Sequence, residues 1–235
     1  LDKHFECFDG FIFPSICDVI RNLSGMFQLM GAGKFVKHLD YPQNFKSHIG
    51  GTFYRHELQT VLNEGYKLNG CEVTVYKLNH FIRLFNINSQ LKNMLYDIRQ
   101  EFPWRMTASD LYHIVRAGCV IPVEEHNEIL TKVVDLILKD TGDPPMDKIR
   151  VLVMGAFCEQ PPVGLIRTIE LAGCYIVEDD FLLGARWIQG DIETDTEYPL
   201  EAITLAYLEK STFSSSVFDV DNPKEARLVD LIRSR

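Results

Sequence analysis

Lys148–Trp187 reads KIRVLVMGAFCEQPPVGLIRTIELAGCYIVEDDFLLGARW. Ile149–Met154 is apolar apart from Arg150, Gly155-Ala156 is a small-residue turn, and the polar loop behind it closes on Pro161-Pro162. A short apolar run bounded by turn formers predicts a buried strand, and the prolines open a helix. Val163, Leu165, Ile166, Ile169 and Ala172 follow at helical spacing, and Gly173 stands where a left-handed C-terminal cap belongs. Tyr175–Val177 is a second short run, closed by Glu178-Asp179-Asp180. Strand, helix and strand in so short a stretch predict a βαβ unit with a right-handed crossover. Ligands of open α/β sheets gather beyond the carboxyl ends of the strands. Here that edge carries Cys158 with Glu159, and Asp179 with Asp180.

The same pattern occurs once before. Phe11-Ile-Phe-Pro-Ser-Ile-Cys17-Asp18 aligns without gaps on Leu152-Val-Met-Gly-Ala-Phe-Cys158-Glu159, and Val19–Leu23 then opens a helix. Both cysteines fall on strand-to-helix loops, where the unpaired N–H groups of a helix start favour a thiolate. Taken singly, either is a buried structural thiol or a functional one. Their matching positions in a gapless repeat favour function, and spacing does not name it.

Composition bounds the reading. With 235 residues, 46% of them hydrophobic, the chain is long enough for one large or two small domains. A net charge of -9 argues against nucleic acid. No run of apolar residues is long enough to span a membrane. Six cysteines without dense pairing point to a reducing compartment, the cytoplasm. The chain starts without Met and stops at Arg235 inside a helical pattern, so native sequence is expected beyond both ends.

In order, 1–51 reads as the C-terminal part of a first α/β domain: a strand at Phe11–Phe13, a helix at Val19–Met30 and a second strand at Phe35–Leu39. Gly50-Gly51 is expected to break the chain. From 52 to 147 the period is helical: Thr52 and Thr74 are expected caps, Phe102-Pro103-Trp104 interrupts, Thr107-Ala-Ser-Asp110 resembles a capping box, and Pro122 opens a helix to about Lys139. Gly142-Asp-Pro-Pro145 leads into 148–235, the second α/β domain, with further helices from Pro199 and after Asn222-Pro223. The expected fold is α/β, two doubly wound flavodoxin- or Rossmann-like halves with a helical insertion.

No C-x-x-C, ferredoxin spacing, G-x-G-x-x-G or P-loop occurs. Cys7, Cys71, Cys119 and Cys174 are expected to be core residues. Glu159 either orients a substrate, accepts a proton or caps a helix. Asp179 and Asp180 are a solvated turn or part of a site, and Arg186 an ion-pair partner or an anion clamp. His126, within Glu124-Glu125-His126-Asn127-Glu128, is expected on a solvated helix face.

Phe13-Pro-Ser-Ile-Cys-Asp18 with Arg21-Asn22, Cys158-Glu-Gln-Pro-Pro162, Ile169-Glu-Leu-Ala-Gly173, and Glu178-Asp-Asp180 with Gly184-Ala-Arg186 together resemble the 2-hydroxyacyl-CoA dehydratase and benzoyl-CoA reductase family. Order and spacing agree along nearly the whole chain, including Phe102-Pro-Trp104 and Arg116-Ala-Gly118. Ser15–Gly25 and Tyr41-Pro-Gln-Asn44 look closer to a catalytic iron-sulfur subunit of the reductase branch than to a dehydratase.

The resemblance implies two α/β domains embracing a 4Fe-4S cluster with a CoA thioester held beside it. Cys17 and Cys158 then stand as cluster ligands, with the third family cysteine expected upstream of Leu1. Glu159 and Asp180 are the catalytic candidates, and Asn22 and Arg186 the substrate-binding ones. The implied partners are a paralogous catalytic subunit and ATP-hydrolysing, electron-activating subunits, so that ATP is used only through a partner, with ferredoxin as the indirect donor. The implied reaction reduces an aromatic acyl-CoA to a cyclic diene through a ketyl radical. Two other readings remain: an (R)-2-hydroxyacyl-CoA dehydratase subunit, and a cluster-free structural partner subunit. No nucleic acid or membrane partner is expected.

Overall fold

The computed structural model describes residues 5–139, 144–154, 161–181, 188–211, 229–230 and 232–233. The chain divides into two units, one formed by Leu1–His80 with Ile192–Glu209, the other by Phe81–Asp191 with Lys210–Arg235. It is mixed α/β, mostly helical, with two short parallel sheets among the described residues.

In the first unit, β1 (Gly10–Pro14), α1 (Asp18–Leu29) and β2 (Phe35–Leu39) form a βαβ unit, with Gly10 opposite Phe35 and Pro14 opposite Leu39. The apolar run of β1 stops at Pro14, which has no N–H to extend the ladder. Cys17 then turns the chain in an extended conformation, and Asp18 places a carboxylate in the first turn of α1. Aromatic edges fill the space beneath the helix: Phe27 lies 5.0 Å from Phe11 and 5.0 Å from Phe13, in T-shaped pairs. Gly33, at φ +67, makes the turn into β2 in a conformation other residues resist.

A π-helical turn, Ser47–Gly51, then runs straight into α2 (Thr52–Asn69). The expected chain break at Gly50-Gly51 is therefore not found. Both glycines are buried, and a Cβ on Gly50 would collide with the backbone carbonyl of Asn44, so the pair permits close packing. Nor does Thr52 cap α2: Gly51 takes that position, and the Thr52 hydroxyl donates back to the His48 carbonyl at 3.3 Å. Lys37 on β2 pairs with Glu57 on α2 at 2.8 Å. Tyr41, Tyr54 of α2 and Tyr207 of α7 (Pro199–Lys210) pack together, Tyr54 and Tyr207 with ring centroids 4.6 Å apart.

α3 (Val75–Glu101) follows Thr74, whose hydroxyl accepts the Lys77 amide at 3.2 Å, as expected of a cap. The unit boundary, His80/Phe81, falls within this helix. The second unit continues with α4 (Ala108–Ala117) and α5 (Val123–Lys139). Thr107 caps α4 by accepting the Asp110 amide at 3.0 Å, while its own hydroxyl donates to the Asp110 carboxylate at 2.7 Å. Leu95 and Ile98 of α3, Met106, Leu111 and Val115 of α4, and Leu130 and Val134 of α5 make one core.

A second core carries the other βαβ unit: β3 (Ile149–Val153), α6 (Val163–Leu171) and β4 (Cys174–Asp179). The strands are parallel, with a register shift between Val151 and Leu152. Gly173, at φ +93, ends α6 in the left-handed conformation expected from its position. Ile166 of α6 and Ile176 of β4 pack with Ala108, Tyr112 and Phe181, so α4 is shared between the two cores of this unit.

Leu130 is fully buried and Leu136, on the same helix, is 69% exposed. Leu130→Ala is expected to lower stability by about 3 kcal/mol through lost burial and a cavity. Leu136→Ala is expected to stay within about 0.5 kcal/mol, and urea unfolding of both variants checks the contrast.

Candidate functional site

The carboxyl end of β4 brings Glu178, Asp179 and Asp180 to the edge where α/β sheets bind ligands. Glu178 and Asp179 are buried and Asp180 is half-buried, with its amide donating to the Val153 carbonyl at 3.2 Å. Of the two readings, a solvated turn or part of a site, the solvated turn is not found at Asp179. Its partner is Arg99, near the end of α3 and only 1% exposed: Arg99 Nη1 lies 2.6 Å from Asp179 Oδ2. Arg99 Nη2 lies 3.9 Å from Glu178 Oε1, beyond hydrogen-bond reach.

The rest of the network serves the same carboxylate. Asp179 Oδ1 accepts the Phe181 amide at 3.0 Å and the Tyr96 hydroxyl at 3.4 Å, and Glu178 Oε1 accepts the Asp179 amide at 3.1 Å. The Arg99 guanidinium also sits over the Tyr96 ring, 4.7 Å from its centroid. Burial first, and then the Asp179 charge, push the Tyr96 hydroxyl well above its ordinary range, so it remains a proton donor. One cation faces two carboxylates, and Arg99 Nε and Nη2 are buried without hydrogen-bond partners among the described residues. The site is charged, buried and held from a helix distant in sequence.

Sequence reasoning passes over Arg99. The signal it offers is a position four residues after Leu95, on the apolar stripe of α3. At the amino end of the same sheet, Arg150 of β3 donates to the Gln100 carbonyl at 2.7 Å. With Asp97, Gln100 and Glu101 it lines a cleft of about 370 Å³, away from the carboxyl edge.

At the corresponding edge of β1, Cys17 is half-buried at the start of α1. Its carbonyl accepts the Arg21 amide at 3.2 Å, while its side chain makes no capping bond. Asp18 and Asn22, one helical turn apart, are exposed. Cys158, Glu159 and Arg186 lie outside the described residues. Among the described residues no group of three or more His, Cys, Asp or Glu is placed to hold a metal ion. Cys17 by itself does not make a cluster site.

Several expectations change. Cys7, Cys71 and Cys119 are exposed rather than packed in a core, because they fall in turns beside the elements, and Cys174 is half-buried on β4. His126 is 2% exposed. Its acidic neighbours in sequence project to the other side of α5, while positions 126, 130 and 134 share the buried stripe. The Asn88 amide donates to His126 Nδ1 at 2.8 Å and to Asn127 Oδ1 at 2.8 Å, and His126 Nε2 lies 2.9 Å from the Ile114 carbonyl. The ring is therefore neutral, with its proton on Nε2.

Likeness to known proteins decides the family. The family model described as 2-hydroxyglutaryl-CoA dehydratase, D-component, matches residues 1–235. The chain belongs to this family. It is 40% identical over 236 residues to a benzoyl-CoA reductase subunit of Thauera aromatica, covering 100% of this chain and 60% of that protein. The (R)-phenyllactyl-CoA dehydratase beta subunit of Clostridium sporogenes is 18% identical over 235 residues, covering 100% of this chain and 61% of that one. The (R)-2-hydroxyglutaryl-CoA dehydratase beta subunit of Acidaminococcus fermentans is 23% identical over 211 residues, covering 88% and 54%. The chain thus spans about 60% of the length of the first two relatives. No helix among the described residues is long and apolar enough to cross a membrane.

Burial, the largest cause, and the nearby Lys92 charge hold the His126 pKa below its ordinary value, against the opposing bond to Ile114. Below about pH 6.5 the unfolded chain takes up a proton at this position before the folded one does. Stability from this group is therefore complete above that pH and falls as pH drops toward the folded value. Urea unfolding between about pH 7 and 5.5 is expected to show this decline, and His126→Gln to flatten it.

Proposed function

We propose that this chain belongs to the iron-sulfur catalytic subunit of a benzoyl-CoA reductase type enzyme. The observation that carries the reading is the 40% identity to a benzoyl-CoA reductase subunit over the whole chain, about twice that to either dehydratase subunit. The reading takes 1–51 as the C-terminal part of a first doubly wound α/β domain, 52–147 as a helical insertion and 148–235 as the second α/β domain.

The reaction adds two electrons and two protons to the ring of an aromatic acyl-CoA, leaving a cyclic diene. Low-potential electrons come from ATP-hydrolysing partner subunits, themselves supplied by ferredoxin, in the cytoplasm. A 4Fe-4S cluster would supply the electron-transfer chemistry. Cys17 and Cys158 would be its ligands in this chain. Asp180 and Glu159 hold and deliver protons, and Asn22 and Arg186 bind the thioester. The half-buried thiol of Cys17 at a helix start supports its part. The half-buried place of Asp180 beside the buried Glu178 and Asp179 supports a proton-handling role for it.

A second reading, an (R)-2-hydroxyacyl-CoA dehydratase subunit, is favoured by the description of the matching family model. Turnover separates the two: ring reduction with benzoyl-CoA supports the reductase, and loss of water from a 2-hydroxyacyl-CoA the dehydratase.

Iron and acid-labile sulfide on the anaerobically purified native complex test the cluster. Cys17→Ser and Cys158→Ser are each expected to lose about four iron and four sulfide per chain. Unchanged content in both variants would make these thiols packing residues and the chain a cluster-free structural partner.

A further inference from the structure

The carboxyl end of β4 is tied to α3 through a single guanidinium. Arg99 Nη1 bonds Asp179 Oδ2 at 2.6 Å, and the other oxygen of that carboxylate accepts the Phe181 amide at 3.0 Å. An Asp that accepts the amide two residues downstream makes an Asx turn, and this sets the direction of the residue between. That residue is Asp180, whose own amide is held by the Val153 carbonyl at 3.2 Å. Asp180 is therefore bracketed on both sides: by β3 before it and by the Asp179 turn after it.

The bracket is stiff because of what surrounds it. Arg99 and Asp179 side chains are each 1% exposed, so neither reorients without opening the core. The planar guanidinium stacks on Tyr96, whose hydroxyl reaches the same Asp179 oxygen as the Phe181 amide. Glu178 accepts the Asp179 amide, which fixes the backbone immediately before the turn. A lysine would keep the charge and lose the rigid planar group that presents Nη1 to Asp179 Oδ2 from this direction.

We propose that Arg99 is a positioning residue: it orients the Asp179 carboxylate, and through the Asp179–Phe181 turn it sets the direction in which Asp180 leaves the sheet edge. This rests on the proposed function, in which Asp180 handles protons for the acyl-CoA. It assigns the aim of that group to a helix of the insertion, about eighty residues earlier in the chain.

The test uses Arg99→Lys and Asp180→Asn in the natively purified complex. Amide exchange is followed by mass spectrometry on peptides covering Phe181 and the α4–α5 core, together with steady-state kinetics on benzoyl-CoA. In R99K, exchange at Phe181 is expected to speed by about tenfold while the α4 and α5 amides keep their rates. The kcat is expected to fall about tenfold with KM within about twofold, and R99K added to D180N to lower kcat no further. Unchanged exchange at Phe181, or acceleration spread evenly over the chain, overturns the positioning role. Local loosening with D180N fully active overturns instead the assignment of Asp180 in the proposed function. If R99K does not fold, Arg99→Met with Asp179→Asn removes both charges and is read in the same way.

Discussion

A buried guanidinium is the constraint on which the second unit depends. Arg99 reaches the carboxyl end of β4 from a helix whose own stripe, Leu95 and Ile98, enters the hydrophobic core. The same helix therefore packs the helical layer and closes the sheet edge. Truncating one partner of such a pair costs about 3–5 kcal/mol, because the charge left behind stays buried without its counterion. The depth that makes the pair costly to break also makes its geometry definite enough to matter to neighbouring backbone, since neither side chain has solvent to relax into.

The first unit solves the same problem differently. Its βαβ segment is packed by aromatic edges, Phe11, Phe13 and Phe27, and its polar tie, Lys37 to Glu57, is half-buried and links β2 to α2. Among the described residues no buried arginine fixes the edge where Cys17 emerges; the strand stops at Pro14, and the start of α1 sets the thiol's place. Each βαβ segment thus offers a carboxyl edge, one bearing a thiol and one bearing carboxylates. The sequence repeat between 11–18 and 152–159 does not carry over to the helix starts: α1 begins directly after Cys17, whereas α6 begins at Val163, after Pro162.

Local features are plain in the sequence and long-range ones obscure. Gly173 and Thr107 are legible because a left-handed turn and a capping hydroxyl each favour a small set of residues at a fixed offset. The βαβ segments are legible because short apolar runs ending in turn formers have few other uses. Gly50-Gly51 misleads: two adjacent glycines mark flexible breaks and tight packing alike, and only the approach of the Asn44 carbonyl distinguishes them. His126 misleads for a related reason, since its neighbours in sequence are acidic while its neighbours in space are Asn88 and Ile114. Arg99 escapes notice because its partner lies eighty positions away, and a lone arginine near a helix end reads as a dipole partner.

The energetics of the Arg99 network bear on why charge is found there. Each buried N–H left without a partner costs about 1–3 kcal/mol, and among the described residues Arg99 Nε and Nη2 have none. An apolar set of the same volume is often as stable as a buried ion pair or more so. Stability alone therefore does not account for a guanidinium set against two carboxylates at this edge. Directionality does: a methionine in the same space fills volume but cannot donate, whereas Arg99 Nη1 holds one oxygen of Asp179 and leaves the other for the Phe181 amide. The two buried carboxylates, with Tyr96 kept protonated beside them, give the edge donors and acceptors in fixed, buried positions.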